Sequence, residues 1–274
     1  MKDIDVQKVI NLRNQKLSVV KIAEIVSSYS TKVSKILREN GFIVKDRKGS
    51  GRKRIYKCND YFLKQIDSEE KAYFLGFMMA DGCITGKNTI SIILDKKDES
   101  HLLKIRNLLS SSNPIKHFKS RFSEKHRFTD KVKLSIESDI LFLSLEENGC
   151  TKRKTNTLKF PKLRSDLENH FIRGYFDGDG SVYKTGKNTL GFSFLGTLEF
   201  ISEIHKRMSF SKAKIQKEKR SAKNVYYVNY GGHNCAKLFY DYLYNNATIF
   251  LERKKIIFDK YFNERLSETT IGTS

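Results

Sequence analysis

Cysteine is scarce in this chain, and what there is lies scattered. Cys58, Cys83, Cys150 and Cys235 form no CxxC pair and have no adjacent histidine pair. That pattern speaks against a zinc site and against a disulfide framework, and it leads to the expectation of a reducing, cytoplasmic setting. Histidine is just as dispersed. His101, His117, His126, His170, His205 and His233 form no HxH or HNH-like cluster, so they are expected at the surface or against a polyanion rather than beside a nucleophile. There is no apolar run long enough to span a bilayer and no basic amphipathic helix, so no membrane partner is expected. The opening residues MKDIDVQKVI do not read as a signal peptide. Acidic residues are the last shortage: 31 Asp and Glu stand against 52 Lys and Arg, a net charge of +21 over 274 residues. An excess of that size points to a polyanionic partner. The hydrophobic content, 39%, is on the low side, but the length allows one or two domains with a sizeable core.

What is present is an internal repeat. Phe74–Gly82 (FLGFMMADG) and Phe171–Gly180 (FIRGYFDGDG) each read as an apolar helix stopping on Asp-Gly. Asp67 with Glu70, and Ser165 with Glu168, have capping-box spacing, and each cap lies 14 residues ahead of its terminal acid. Gly82 and Gly180 are then expected to supply left-handed residues that end the helices. Asp81 and Asp179 fit less well, because a carboxylate in the last turn faces the negative end of the helix dipole, at a cost of up to about 1 kcal/mol. Two acids so placed, 98 positions apart (179 less 81), call for a cation. Gly76 and Ala80, and likewise Gly174 and Gly178, are spaced by four and share a helix face. Small residues there let the two helices pack closely and bring Asp81 and Asp179 together. Such an all-oxygen, negative site suits a hard divalent ion, Mg²⁺ or Mn²⁺.

These stretches resemble the two signature helices of the LAGLIDADG homing endonucleases. The resemblance takes in the lead-in segments KAYFLGF and ENHFIRGYF and the closing spans GCTKRKTNTLKFP and YLYNNATIFLERK, roughly residues 56–264. It implies a monomeric enzyme that cuts both strands of a long, asymmetric double-stranded DNA site with divalent metal, leaving short 3′ overhangs. Asp81 and Asp179, with backbone carbonyls at Ala80 and Gly178, would be the metal ligands. Lys154 and Lys254, which follow their acids by 73 and 75 residues, match the family's lysines beside the pocket. They would polarise the water network or stabilise charge on the phosphate in the transition state. Met79 departs from the motif, which often has an acid there, as the second copy does at Asp177. The family's ligand is the last acid before the glycine, so the metal site is unaffected by this. Two other functions are compatible with the fold: a DNA-binding regulator that does not cut, which would be expected to lose the terminal acids, and a maturase that binds an intron RNA. Inteins are not supported, since no splice-junction blocks flank the repeats.

Residues 1–44 read as three short helices, with Val6, Val9 and Ile10 inward in the first and Ser30 capping the third. They resemble a helix-turn-helix, with Ala23 and Val33 at packing positions and Ser27 where glycine is common. Val33, Ile36 and Leu37 form the buried stripe, leaving Thr31, Lys32, Ser34, Lys35 and Arg38 to meet DNA. Residues 45–62 form a basic linker in which Arg52, Lys53 and Arg54 are candidate phosphate or minor-groove contacts. The repeats then span 63–164 and 165–266, and 267–274 is expected to be a disordered tail.

Each repeat has the order αββαββα. The fold class is α+β, with two antiparallel four-stranded sheets under a central helix pair forming a DNA-binding saddle. Along the strands Val132, Leu134 and Ile136 oppose Lys131, Lys133 and Ser135. Phe118 and Phe122 oppose Lys119 and Arg121, and Ala213 and Ile215 oppose Lys212, Lys214 and Gln216. The basic and polar side of each strand is expected to face the major groove.

Overall fold

A computed structural model describes residues 5–15, 17–42, 44, 54–86, 88–122, 127–152, 154–185, 189–219 and 224–271. The chain divides into two compact units, Met1–Arg54 and Ile55–Ser274.

The first unit holds α1 (Val6–Asn14), α2 (Val19–Ile25) and α3 (Ser30–Glu39). Asp5 accepts from the Lys8 N–H and Ser18 from the Lys21 N–H, so each satisfies an orphan donor of its helix. Val9, Ile22, Ala23, Val33, Ile36 and Leu37 form a small core of their own. Val6 lies outside it, 43% exposed, contrary to the inward placement expected from periodicity. Ser30 is the first residue of α3 rather than its cap; Tyr29 takes the cap position and makes no side-chain bond there. Ser27 has φ 48°, the left-handed conformation that glycine adopts most cheaply. Thr31, Lys32, Ser34, Lys35 and Arg38 all lie off the core.

The second unit opens on α4 (Glu69–Ala80), followed by β1 (Gly82–Thr85), β2 (Thr89–Asp95), α5 (Glu99–Leu108), β3 (Lys116–Phe122), β4 (Arg127–Glu137) and α6 (Asp139–Glu147). The same series recurs as α7 (Glu168–Asp179), β5 (Ser181–Thr185), β6 (Thr189–Gly196), α8 (Leu198–Arg207), β7 (Ile215–Lys217), β8 (Tyr226–Gly231) and α9 (His233–Tyr244). A closing helix, α10 (Glu252–Ile271), follows. It runs past position 267, where a disordered tail was expected. Phe258 and Tyr261 are buried, anchoring the helix to the core. The sheets are ordered β1-β2-β4-β3 and β5-β6-β8-β7, antiparallel throughout. One hydrophobic core serves both repeats.

The expected capping boxes do not form. Ser68 precedes α4 without a side-chain cap, and Asp67 pairs with Lys71 at 2.7 Å. Ser165–Leu167 is a 3₁₀ turn, and Leu167 precedes α7. Burial stands in for capping: Ala72 through Met79 are buried without a break, and tertiary packing of that kind outweighs a cap. The two helix-ending glycines also differ from expectation. Gly180 has φ −72°, and Gly82 begins β1 with no left-handed step. Glycine is needed there for space. A Cβ on Gly82 would stand 2.4 Å from the Met78 carbonyl oxygen, and one on Gly180 would stand 2.1 Å from the Phe176 ring.

Candidate active site

The helix pair is built as its small residues suggest. A Cβ on Gly76 would sit 2.0 Å from the Phe171 carbonyl oxygen, and one on Gly174 would sit 2.1 Å from that of Tyr73. The two contacts are the same contact seen from either repeat, because each residue has its counterpart 98 positions on. At the far end a Cβ on Gly178 would meet the Ala80 Cβ at 2.3 Å. Backbone therefore lies against backbone at Gly76 and Gly174, the seam closes with Gly178 against the Ala80 methyl, and the residue after each of these two is an acid.

Asp81 caps the C-terminus of α4 and Asp179 ends α7. Loss of hydration and then the neighbouring Asp179 push the Asp81 carboxyl up to about 6. Asp179 is also raised, by lost hydration, against the pull of Lys154 and Lys254. Among the described residues neither carboxylate accepts a hydrogen bond. The two lysines stand at the same helix ends. Lys154, half-buried on the 3₁₀ turn Lys154–Asn156, donates to the Gly82 carbonyl. Lys254, buried in the first turn of α10, donates to the carbonyls of Phe176 (2.5 Å), Gly180 (2.5 Å) and Gly178 (3.3 Å). Burial pushes its pKa down to about 8, with Asp177, Asp81 and Asp179 opposing that fall. Each ammonium offsets the negative end of one central helix.

Asp81, Asp179, Ala80, Gly178, Lys154 and Lys254 are thus brought into one place, and Gly76 and Gly174 make it possible. Among the described residues no three His, Cys, Asp or Glu side chains cluster as a metal site. A divalent ion here would rest on two carboxylates completed by backbone or substrate oxygens. Two like-charged, hydrogen-bond-poor carboxyls with raised pKa values fit a cation. The Gly178 carbonyl already accepts from Lys254, so a role as ligand would require sharing it.

The strand surfaces need correction. In an antiparallel pair, directly opposed residues share a face. Lys131 and Lys133 oppose Phe118 and Lys116 on the outer face of the first sheet, whereas His117 opposes buried Val132. Lys119 and Arg121 have the parity of His117, so they lie on the other face from Lys131 and Lys133, and Phe118 is 38% exposed beside Lys131. On β4 the inner and outer residues are those the alternation predicts, whereas on β3 the two sides are exchanged. In the second sheet β7 is only three residues long: Gln216 opposes Tyr227, and Lys212 and Lys214 are exposed in the segment before it. Arg52 and Lys53 lie outside the described residues, while Arg54 is described.

His101 also departs from expectation. It is fully buried, 3.0 Å from the Tyr73 hydroxyl, and burial drives its pKa down to about 4. A buried polar group unforeseen from the sequence lies nearby: Asp177 accepts from Tyr73, and Arg173 pairs with Glu69. The available signal is an arginine and an aspartate inside the otherwise apolar stretch Phe171–Gly178.

Fold and site together define a two-repeat α+β protein with paired acids at the touching ends of its central helices. A family model described as a LAGLIDADG-like domain matches residues 166–244, the second repeat. Among solved structures, LAGLIDADG homing endonuclease I-GzeII in complex with its DNA target is 14% identical, covering 74% of this chain and 92% of that one, with a TM-score of 0.49. Meganuclease I-SmaMI bound to uncleaveable DNA with a TTCT central four is 14% identical over 73% and 91%, with a TM-score of 0.44. Meganuclease I-AabMI bound to uncleaved DNA is 14% identical over 72% and 91%, with a TM-score of 0.46. No curated protein matches the chain. Among the described residues no helix is long and apolar enough to cross a membrane.

Proposed function

We propose that this chain is a site-specific homing endonuclease that hydrolyses both strands of a long, asymmetric double-stranded DNA site. The observation that carries the reading is the convergence of Asp81 and Asp179 at two touching helix ends, each beside a lysine, in a chain of charge +21. Asp81 and Asp179 would hold divalent metal, Mg²⁺ or Mn²⁺, which when bound activates water and stabilises the leaving oxygen. Lys154 and Lys254 lie at the acids, where an ammonium can meet charge building on a phosphate. Lys131, Lys133 and Gln216 present donors on the outer sheet faces, and Lys212 and Lys214 extend the second, for phosphates and base edges. Lys119 and Arg121, on the opposite side, would serve DNA only where the hairpin end overreaches the sheet. We assign the N-terminal unit to helix-turn-helix binding through Thr31, Lys32, Ser34, Lys35 and Arg38, followed by a basic tether that includes Arg52, Lys53 and Arg54.

Two repeats in one chain supply both acids, so a monomer suffices. The free thiols of Cys58, Cys83, Cys150 and Cys235 suit a reducing cytoplasm. Both terminal acids are retained, which favours cutting over a silent regulator; nothing in the site favours RNA over DNA.

The test is a randomised duplex library treated with wild type and Asp179→Asn, with Mg²⁺ and with EDTA. Metal-dependent double-strand cuts at one long motif, lost in the variant, are expected. Tight binding without cuts under any metal would return Asp81 and Asp179 to the role of helix ends.

A further inference from the structure

The two halves of the site are not built alike. Glu69, Arg173 and Asp177 are polar, and their counterparts 98 positions away are Leu167, Leu75 and Met79. All three converge on one segment, residues 243–251, which leads directly into Lys254. Asp177 is fully buried. Its Oδ2 accepts from the Tyr73 hydroxyl and the Leu251 N–H, both at 2.7 Å, and its Oδ1 accepts from the Tyr244 hydroxyl at 3.3 Å. Arg173, equally buried, donates to the Leu243 carbonyl at 2.6 Å and the Ile249 carbonyl at 2.9 Å. Glu69 accepts from Arg173 at 2.5 Å, from the Thr248 N–H at 2.7 Å and from the Ile249 N–H at 3.3 Å. Just before Lys254, Arg253 reaches both oxygens of Asp98 at 2.8 and 3.0 Å. Tyr73, Glu69 and Asp98 belong to the first repeat, yet they hold the segment that delivers the second repeat's lysine.

Lys154 has no such harness among the described residues. Its segment is tied by the Cys150 thiol to the Met78 carbonyl at 3.6 Å and by the Thr197 hydroxyl to the Leu158 carbonyl at 2.6 Å, and its ammonium meets one carbonyl instead of three. Burying a carboxylate with three donors costs desolvation that an apolar residue, as at Met79, would avoid. What the arrangement supplies in return is a fixed first turn of α10.

We infer that Asp177 is a positioning residue for Lys254: by accepting from both the Leu251 N–H and the Tyr73 hydroxyl it sets where α10 begins, so the two half-sites are pre-organised unequally. The strand cut beside Lys254 then depends on Asp177, and the other strand does not. The kinetic half of this rests on the nuclease reading; the positional half does not.

Two measurements on the full chain separate them. Asp177→Met installs the residue of the matched position, and Asp177→Asn keeps an acceptor for Leu251. On the wild-type target, labelled on each strand in turn, single-turnover cutting of one strand should slow about tenfold or more relative to the other in Asp177→Met, since small misplacements of a reacting group are that costly. DNA affinity should hold, and Asp177→Asn should recover most of the rate. Equal slowing of both strands would mark a merely structural role and overturn the inference. The second measurement needs no cutting: an amine-reactive reagent followed by peptide mass spectrometry. Lys254 should be protected in wild type and become reactive in Asp177→Met, while Lys154 is unchanged. Raised Lys254 reactivity in a chain that cuts no duplex would sink the nuclease reading and leave the positioning role standing. Unchanged reactivity would sink the positioning role whether or not the chain cuts. Should Asp177→Met not fold, Asp98→Asn loosens the same segment at Arg253, and it must raise Lys254 labelling for the inference to survive.

Discussion

Replacing Gly178 by alanine tests the helix seam where it meets the two acids. The new Cβ would lie 2.3 Å from the Ala80 Cβ, with the Asp81 nitrogen at 3.3 Å and the Ala80 Cα at 3.5 Å. Carbon atoms rest comfortably at about 3.5–4.0 Å, so the helix ends must part by roughly 1.5 Å. Overpacking of that kind costs about 1–3 kcal/mol. Alanine regains about 1 kcal/mol of helix propensity over glycine, which leaves a net loss of about 0–2 kcal/mol. The clash is between two methyl groups, so removing the other one should relieve it. Ala80→Gly alone should cost about 1 kcal/mol in propensity. The swapped pair, Ala80→Gly with Gly178→Ala, carries one methyl in the contact and should return close to wild type, giving a coupling energy of about 1–3 kcal/mol. Urea unfolding followed by far-UV circular dichroism measures all four corners of the cycle. Cutting should follow the geometry: moving Asp81 away from Asp179 should cost about a hundredfold in rate, and the swap should restore it. If the single changes simply add, the close approach is not what holds the site together.

Further outcomes are expected. The pKa of His101 falls from 6.5 to about 4, so below pH 6.5 the unfolded chain takes up a proton that the folded chain refuses until about pH 4. Stability should therefore fall as pH drops through that window, by roughly 3 kcal/mol in all. His101→Gln should flatten this acid limb in denaturation curves at pH 7, 5.5 and 4; an unchanged slope would show that the imidazole titrates freely. Deleting residues 1–54, the smaller compact unit, should weaken DNA binding and reduce the slope of log affinity against log salt while leaving cutting chemistry intact. Equal affinity of the truncated and full chains at several salt concentrations would count against a DNA role for that unit.

Much of the site is legible in the sequence. Asp81 and Asp179 stood out because the same unfavourable end-of-helix acid occurred twice at matched positions, and Gly76, Ala80, Gly174 and Gly178 because spacing by four places them on one face. Lys154 and Lys254 came from the family resemblance, and both stand at the helix ends. Other features differ from expectation for identifiable reasons. The caps at Asp67 and Ser165 were local rules overridden by helices whose burial needs no cap. The place of Lys119 and Arg121 rests on alternation, which separates two faces of a strand but does not say which one is inside. That was settled only by the pairing of His117 with Val132. His101 read as a surface group because nothing near it in sequence shows that Tyr73 will cover it.

The sequence by itself determined the things that repeat or sum: two copies of one unit, small-residue faces, doubled acids and a basic chain. These are properties of periodicity and composition, and they survive without knowing which residues meet. Tertiary structure decided what depends on partners distant in the chain. It selected the inner face of each strand, buried His101, and drew Glu69, Tyr73 and Asp98 onto the segment that carries Lys254. A polar side chain is costly or structural according to whether its donors and acceptors find partners, and those partners lie about a hundred residues away or more for Tyr73–Asp177, Glu69–Arg173 and Asp98–Arg253.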